Sequence, residues 1–464
     1  MICENMEQLR AAWQGILAVD EKGVQVLDES RLRNELIDTL IFTAVFGTPE
    51  ETVLAARWLI RRAAAALGIL SASIQPLYEA MGRGEVSGFT VPAINIRGLT
   101  YHVAQAAMRA AMQEKVGAVI FEIARSEIGY TSQRPSEYAA AVTAAAIKTG
   151  YRVPLFLQGD HFQVIAKRFQ QDAGQETKTV KDLIWEAVEA GFYNIDIDTS
   201  TLVDLTKPNI AEQQRLNYTL AAELTMVIRD LEPAGVTVSV GGEIGEVGSK
   251  NSTVEELQAF MGGYLAELQR HDKNIKGISK ISVQTGTTHG GVPLSDGTIA
   301  KVNLDFDVLA KLSRAARESF GLAGAVQHGA STLPEEAFDK FPAVETAEVH
   351  LATGFQNMLL DSKHFPEGLR KRMYEDLHQA HGSEKKPGDT DEQFIYKTRK
   401  QSFGLFKRDL WNLPPETLHA LSAELEKQFD FLFKKLNMAG TLETIQGYVK
   451  PQDVSVPVPP PLRI

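Results

Sequence analysis

Between residues 89 and 352 the sequence alternates short apolar runs with longer amphipathic stretches, and this alternation constrains the fold more than any other feature. The runs are FTVPAIN, GAVIFEIA, VPLFLQG, FYNIDID, VTVSVGG, ISKISVQT, AGAVQH and TAEVHLA, eight candidate strands. Between them, stretches at 101–114, 135–149, 180–190, 213–231, 254–269 and 308–320 carry apolar residues at helical spacing. Strand followed by helix, repeated, predicts parallel βαβ units. Eight repeats over about 270 residues predict a closed (β/α)8 TIM barrel of the α/β class, whose strand ends converge on one mouth. A doubly wound open sheet is the alternative. It calls for a glycine-rich first turn, whereas the first strand here runs into Asn95-Ile96-Arg97-Gly98.

The flanks read differently. Residues 1–75 are expected to form a helical extension, with helical spacing at 31–46 and 50–67, and residues 76–360 the barrel. Residues 361–464 read as a C-terminal helical region (367–381, 392–410, 415–435) with a mobile polar loop at 382–393. The proline-rich tail at 451–461 cannot form a helix and is expected to reach across a neighbour or stay disordered. With 44% hydrophobic and 23% charged residues, a large buried core is expected.

A net charge of −11 argues against nucleic acid and membrane surfaces as partners. The single cysteine, Cys3, excludes an intrachain disulfide and a thiolate metal cluster, so a metal site must use histidines and carboxylates. Neither a signal peptide nor a membrane span is readable, and a cytoplasmic protein is expected.

The candidate strands end in Asn95, Glu122, Asp160 with His161, Asp196 and Asp198, Glu243, His289, His328, and His350 with Thr353. Burying one such group without a partner is costly, so a shared metal or substrate is the economical account. Taken singly, each histidine reads as a satisfied rim residue. Together, His161, His289 and His328 read as three imidazole ligands to a divalent cation, with Glu243 as a fourth or alternative ligand. Asp160 beside such a cation is the natural acid/base for a substrate hydroxyl; its bland alternative is a helix N-cap. In a regular strand Asp160 and His161 would point to opposite faces, so the chain must bend there for both to serve. The turns GTTHGG at 286 and HGAST at 328 could cradle a phosphate, or be glycine-rich only for tight turning. Arg97, Arg125, Arg134 and Lys250 follow strand ends and could contact an anion, or be solvated loop charges.

In order, VPAIN near 91, FEIARSEIGYTSQRP at 121, QGDH ending at His161, IDIDTS at 195, GGEIGEVG at 241, GTTHGG at 286, HGAS at 328 and VHLATG at 349 resemble the class II, zinc-dependent fructose-bisphosphate and tagatose-bisphosphate aldolases. The stretch around Tyr130-Thr131 is more similar to the tagatose-type branch. The resemblance implies zinc on His161, His289 and His328, with Asp198 and Glu243 serving an alternative metal position. It implies Asp160 as acid/base at the C4 hydroxyl. Asn95 is expected among the substrate contacts, and a phosphate and monovalent-cation site is implied at Gly290, Gly329, Ser331 and Thr353.

The implied activity is cleavage and formation of a phosphorylated ketose, fructose or tagatose 1,6-bisphosphate, through a zinc-stabilised enediolate of dihydroxyacetone phosphate. A homo-oligomer is expected. The sequence also departs from the family. Asn251 falls at or near the place of the proton-abstracting glutamate, for which Glu246, Glu255 or Glu256 could substitute, and His350 and Ala352 stand where the family has Asn and Asp. These departures keep two other readings open: a metal-dependent sugar or sugar-acid epimerase, and a non-catalytic aldolase subunit.

Overall fold

The computed structural model describes residues 1–20, 23–245, 250–271, 273–286, 294 and 304–463. The chain begins with the helix Met6–Trp13 and an antiparallel hairpin, β1 (Leu17–Asp20) and β2 (Gly23–Val26), an element absent from the helical expectation for residues 1–75. The helices Ile37–Phe46 and Glu50–Ala66 follow, then the short helix Gln75–Gly82.

Eight parallel strands come next: β3 (Val91–Asn95), β4 (Ile120–Ala124), β5 (Phe156–Gln163), β6 (Asn194–Asp198), β7 (Ser239–Glu243), β8 (Lys280–Val283), β9 (Ala325–Gln327) and β10 (Glu348–Leu351). Each pairs with the next, and β10 closes onto β3. The chain is therefore a (β/α)8 barrel with helical additions at both ends. Outer helices such as Pro135–Thr149 and Arg215–Leu231 alternate with the strands where the periodicity places them.

Alternation along the strands divides the side chains between two environments. Ile94, Phe121, Leu157, Ile195, Ile281 and Val349 join the apolar layer under the helices. The interior is unusual for this architecture, where branched apolar side chains normally fill the barrel. Lys280 Nζ donates to Gln158 Oε1 (2.8 Å) and to Glu348, and lies 3.0 Å from Asp196 Oδ1. Gln158 Nε2 lies 2.8 Å from both Glu122 Oε2 and Glu348 Oε1, and Tyr78 on the Gln75–Gly82 helix donates its hydroxyl to Glu348. Gly241 makes room for this layer, since a Cβ there would fall 2.3 Å from Asp196 Oδ1. Burial would lower the Lys280 pKa, but Asp196 and Glu348 against the ammonium hold it above its ordinary value. Burial likewise opposes ionisation of Glu348, and Lys280 outweighs it, bringing the carboxyl down to about 2.

The helices Glu367–His381 and Pro415–Lys435 lie where expected, whereas the stretch at 392–410 is broken rather than continuous. It divides into Asp391–Thr398, a tight turn at Arg399–Gln401, Ser402–Leu405 and Lys407–Trp411. Arg399 turns in to Asp361 (2.6 Å) and Phe403 is buried, contacts that one straight helix would not serve together. The proline-rich tail also departs from expectation, because it docks on its own chain. Arg62 grips Asp453 with bonds of 2.7 and 3.0 Å, Trp58 Nε1 donates to Val456 O (3.4 Å), and Arg10 donates to Pro461 O (2.8 Å). Val454, Val456 and Val458 pack against the core at alternate positions, as an extended chain allows. Among the described residues, no helix is long and apolar enough to cross a membrane.

Candidate active site

The bend that Asp160 and His161 require is present in β5. His161 has a left-handed backbone (φ +40°), and the register with β6 shifts between Gly159 and Phe162. Phe162 folds back over Gly159, where a Cβ would lie 2.4 Å from its ring. Consecutive side chains thus both reach the mouth. A non-glycine residue held in this region costs about 1–3 kcal/mol, strain of a kind that gathers at functional sites.

His161 stands between two sets of acids. Its Nδ1 lies 3.2 Å from Asp198 Oδ2 and 3.1 Å from Glu243 Oε2, and its Nε2 lies 3.7 Å from Asp160 Oδ1. His328, after β9, places its ring 4.1 Å from that of His161, with Nε2 2.8 Å from Ser282 Oγ and Nδ1 3.9 Å from Asp160 Oδ1. In each of the trios Asp160, His161, His328 and His161, Asp198, Glu243, one ligand atom per residue lies within 4.8 Å of the others. That donor set suits a divalent cation.

Burial would lower the His161 pKa, but Asp160 and Glu243 raise it well above the ordinary imidazole value. Burial and the neighbouring Asp198 push the Glu243 carboxyl up to about 7. Asp160 goes the other way: His161, His350 and His328 overcome burial and hold its carboxyl well below the usual range.

Asn95, at the end of β3, donates to Asp160 Oδ2 (2.8 Å) and to Glu127 Oε2 (2.9 Å). Glu127 also pairs with Arg97 (2.6 Å), whose Nη1 donates to Thr353 Oγ1 and Gln356 Oε1, both at 3.0 Å. These groups face a cavity of about 650 Å3 at the carboxyl ends of the strands, which Gly329 and Ser331 also line. Ser331 Oγ accepts from Gly354 N (3.0 Å). The C-terminal region covers one side of the cavity with Tyr396, Lys397 and Lys400. Lys397 pairs with Asp389 at 2.9 Å. Lys400 Nζ lies 5.7 Å from the centre of the Tyr130 ring, and among the described residues it forms no ion pair.

His289 and Gly290 lie outside the described residues, as does Glu246, and β8 itself ends earlier, at Val283. Asn251 is away from the mouth cavity: its Nδ2 donates to Asp305 Oδ2 (3.2 Å) in a second recess. Glu255 is exposed, and Glu256 is engaged in capping the Val254–His271 helix and pairing with Lys250 (2.7 Å). Arg125 lines the mouth but is held by Glu176, and Arg134 pairs with Glu186 outside it. Sequence reasoning missed Lys280, Gln158 and Glu348, and had His350 only as a strand-end group standing where the family has Asn. The alternation within LQGD, KISV and EVHL, with polar residues two apart, was the available signal.

A family model described as fructose-bisphosphate aldolase class-II matches residues 76–402. The chain belongs to that family. Members of this aldolase family generally depend on a divalent metal, in keeping with the histidines and acids at the mouth. Among solved structures, the chain is similar to a probable tagatose 6 phosphate kinase from Sinorhizobium meliloti 1021, with 18% identity over 80% of this chain and 96% of that one and a TM-score of 0.52. It also matches a fructose-bisphosphate aldolase from Campylobacter jejuni, with 17% identity over 80% and 97% of the two chains and a TM-score of 0.48. At such identities the first likeness concerns the fold. No curated protein matches the chain.

Proposed function

We propose that this member of the class II aldolase family is a metal-dependent aldolase that cleaves and forms a phosphorylated ketose, fructose 1,6-bisphosphate or tagatose 1,6-bisphosphate. The meeting of His161 and His328 with Asp160, Asp198 and Glu243 at the barrel mouth supports this most. His161 and His328 would hold the cation, with His289 as the third imidazole that the sequence offers and Asp198 and Glu243 as alternative ligands. Zinc suits the imidazoles. When bound, the cation supplies Lewis-acid stabilisation of negative charge on the substrate.

The protein's own groups do the rest. Cleavage of the C3–C4 bond requires a proton to leave the C4 hydroxyl, and Asp160, ionised and bonded at Oδ2 to Asn95, would take it. Gly329, Ser331 and Thr353 provide backbone and hydroxyl groups for one phosphate, with Arg97 bonded to Thr353 behind them. Lys400, which forms no ion pair among the described residues, lines the same cavity and offers it a positive charge. Because it comes from the C-terminal region, this part of the chain would share in holding the anionic substrate.

Release of triose phosphate from both bisphosphates by the metal-loaded protein tests the reading. Chelator-sensitive release from one of them, lost in His328→Ala, is expected. Release indifferent to chelator and to that substitution refutes it. One feature favours epimerisation of an unphosphorylated sugar or sugar acid instead: Ala352, beside Thr353 in the cavity wall, offers a phosphate no polar side chain. A change of optical rotation without triose phosphate release would support that second reading.

A further inference from the structure

Lys400 reaches the mouth from the tight turn at Arg399–Gln401, while its neighbour Arg399 is buried against the helix Thr353–Asp361. Arg399 Nη1 donates to Asp361 Oδ1 (2.6 Å), and its Nη2 donates to Asp361 Oδ2 (2.9 Å) and Asn357 Oδ1 (2.6 Å). Tyr396, three residues earlier, sets the centre of its ring 4.8 Å from the guanidinium carbon, and its hydroxyl accepts from Asn357 Nδ2 (3.1 Å). Arg399, Asn357 and Tyr396 thus form a closed set, with Asp361 gripping the guanidinium at both ends.

This set fixes the backbone on which Lys400 stands. A planar guanidinium bonded to both oxygens of a carboxylate holds geometry in a way a single ammonium does not. Lys400 has no such anchor of its own. Among the described residues it forms no ion pair, and its Nζ lies 5.7 Å from the centre of the Tyr130 ring. A lysine side chain is long and freely rotating, so its place at the mouth is set by where its backbone is held. Burial lowers the Lys400 pKa, and Arg97 lowers it further against Glu127 and Glu384. The gripped helix begins at Thr353, and Thr353 and Gln356 also line the cavity, so the clamp joins two parts of its wall.

We propose that Arg399 is a positioning residue: through Asp361, Asn357 and Tyr396 it holds Lys400 on the mouth wall and so sets how strongly the cavity takes up a phosphorylated substrate. The inference rests on the reading of Lys400 as a contact of the anionic substrate. Arg399 itself, turned in to the helix, acts only through its neighbour.

Asp361→Asn in the full-length protein tests the proposal, since the Asp361 side chain is 57% exposed and the amide keeps its shape. Arg399→Lys, which keeps a charge but loses the fork, should act in the same direction. Acetylation of Lys400 at a series of pH values, read by peptide mass spectrometry, reports its titration without any turnover. In both variants its apparent pKa should rise toward the ordinary lysine value as the ammonium leaves its buried place. KM for the bisphosphate should rise about 3-fold with kcat retained, and the rise should vanish in a Lys400→Ala background, as coupling between the two sites requires. Unmoved titration of Lys400, an unmoved KM, or an equal rise with and without Lys400 overturns the proposal; the last result would place the effect on Thr353 and Gln356. A titration shift in a protein that cleaves neither bisphosphate refutes the aldolase reading and leaves the hold on Lys400 standing.

Discussion

Replacing Lys280 by Met probes the polar layer on which the mouth stands. Lys280 is fully buried, with Asp196 3.0 Å away and Glu348 in direct contact. Removing one partner of such a group leaves buried charge uncompensated, at a cost of about 3–5 kcal/mol. At about 2.1 cal/mol/K of unfolding entropy per residue, 464 residues give about 1 kcal/mol/K, so the melting temperature should fall by about 3–5 °C at pH 7.5.

The pH dependence follows from the same groups. In the unaltered protein Glu348 titrates near 2, so its contribution is fully present above the ordinary carboxylate range and is lost only as pH falls toward 2. Lys280 is raised, so its contribution is lost only in strong alkali. Neither changes between pH 5 and 8. Without the ammonium, burial pushes Glu348 up and carries Asp196, already raised to about 6 by burial in the unaltered protein, further up; a raised carboxyl stabilises below its unfolded value and loses that contribution as pH rises through the folded one. The deficit should therefore be smaller at pH 5 than at pH 8, and Lys280→Met with Glu348→Gln should recover part of it. Differential scanning fluorimetry across pH reads both effects. A Lys280→Met protein that melts with the unaltered one at pH 7.5 would refute the reasoning.

Three further outcomes follow from the geometry. Lys400→Ala should raise KM for a bisphosphate about 10-fold or more with kcat little changed, as loss of a charged contact of about 1.5–3 kcal/mol implies; steady-state kinetics showing a kcat loss alone would contradict it. In chelator, stability should fall from pH 5.5 to 8.5, because Glu122 at about 8 and Glu243 at about 7 are raised, as are His161 and His350, and each contributes stability that is lost as pH rises through its folded value. Zn2+ should reverse that slope, since its ligands bind deprotonated, and thermal melts at a series of pH values check both signs. Deleting residues 451–464 should lower the melting temperature by about 2–4 °C by uncovering Trp58 and the apolar surface under Val454, Val456 and Val458; an unchanged melt would show that the tail adds nothing.

The barrel was legible because its signal is local. Strands of three to eight residues flanked by amphipathic helices declare themselves in FYNIDID or at 135–149 without knowledge of the partners. The mouth was legible for a related reason, since ionisable residues such as Asp198 and Glu243 end strands that are otherwise buried. The remainder depends on information that sequence spacing does not carry. The left-handed turn at His161 follows from the packing of Phe162 over Gly159, a contact fixed in space. The Lys280–Glu348 pair joins residues 68 positions apart, and the alternation within each strand does not say which residue it meets. Arg399, Phe403 and the proline-rich tail are placed by surfaces of distant helices, so helical periodicity alone overextended one segment and left the other undocked.

The central claim, that the mouth works through a divalent cation held by His161 and His328, is tested most directly by titrating chelator-stripped protein with Zn2+ while following triose phosphate release from the bisphosphate it cleaves. The account predicts no release from the stripped protein, recovery in proportion to added metal, and no recovery in His161→Ala. Release from stripped protein, or full recovery in His161→Ala, would contradict it.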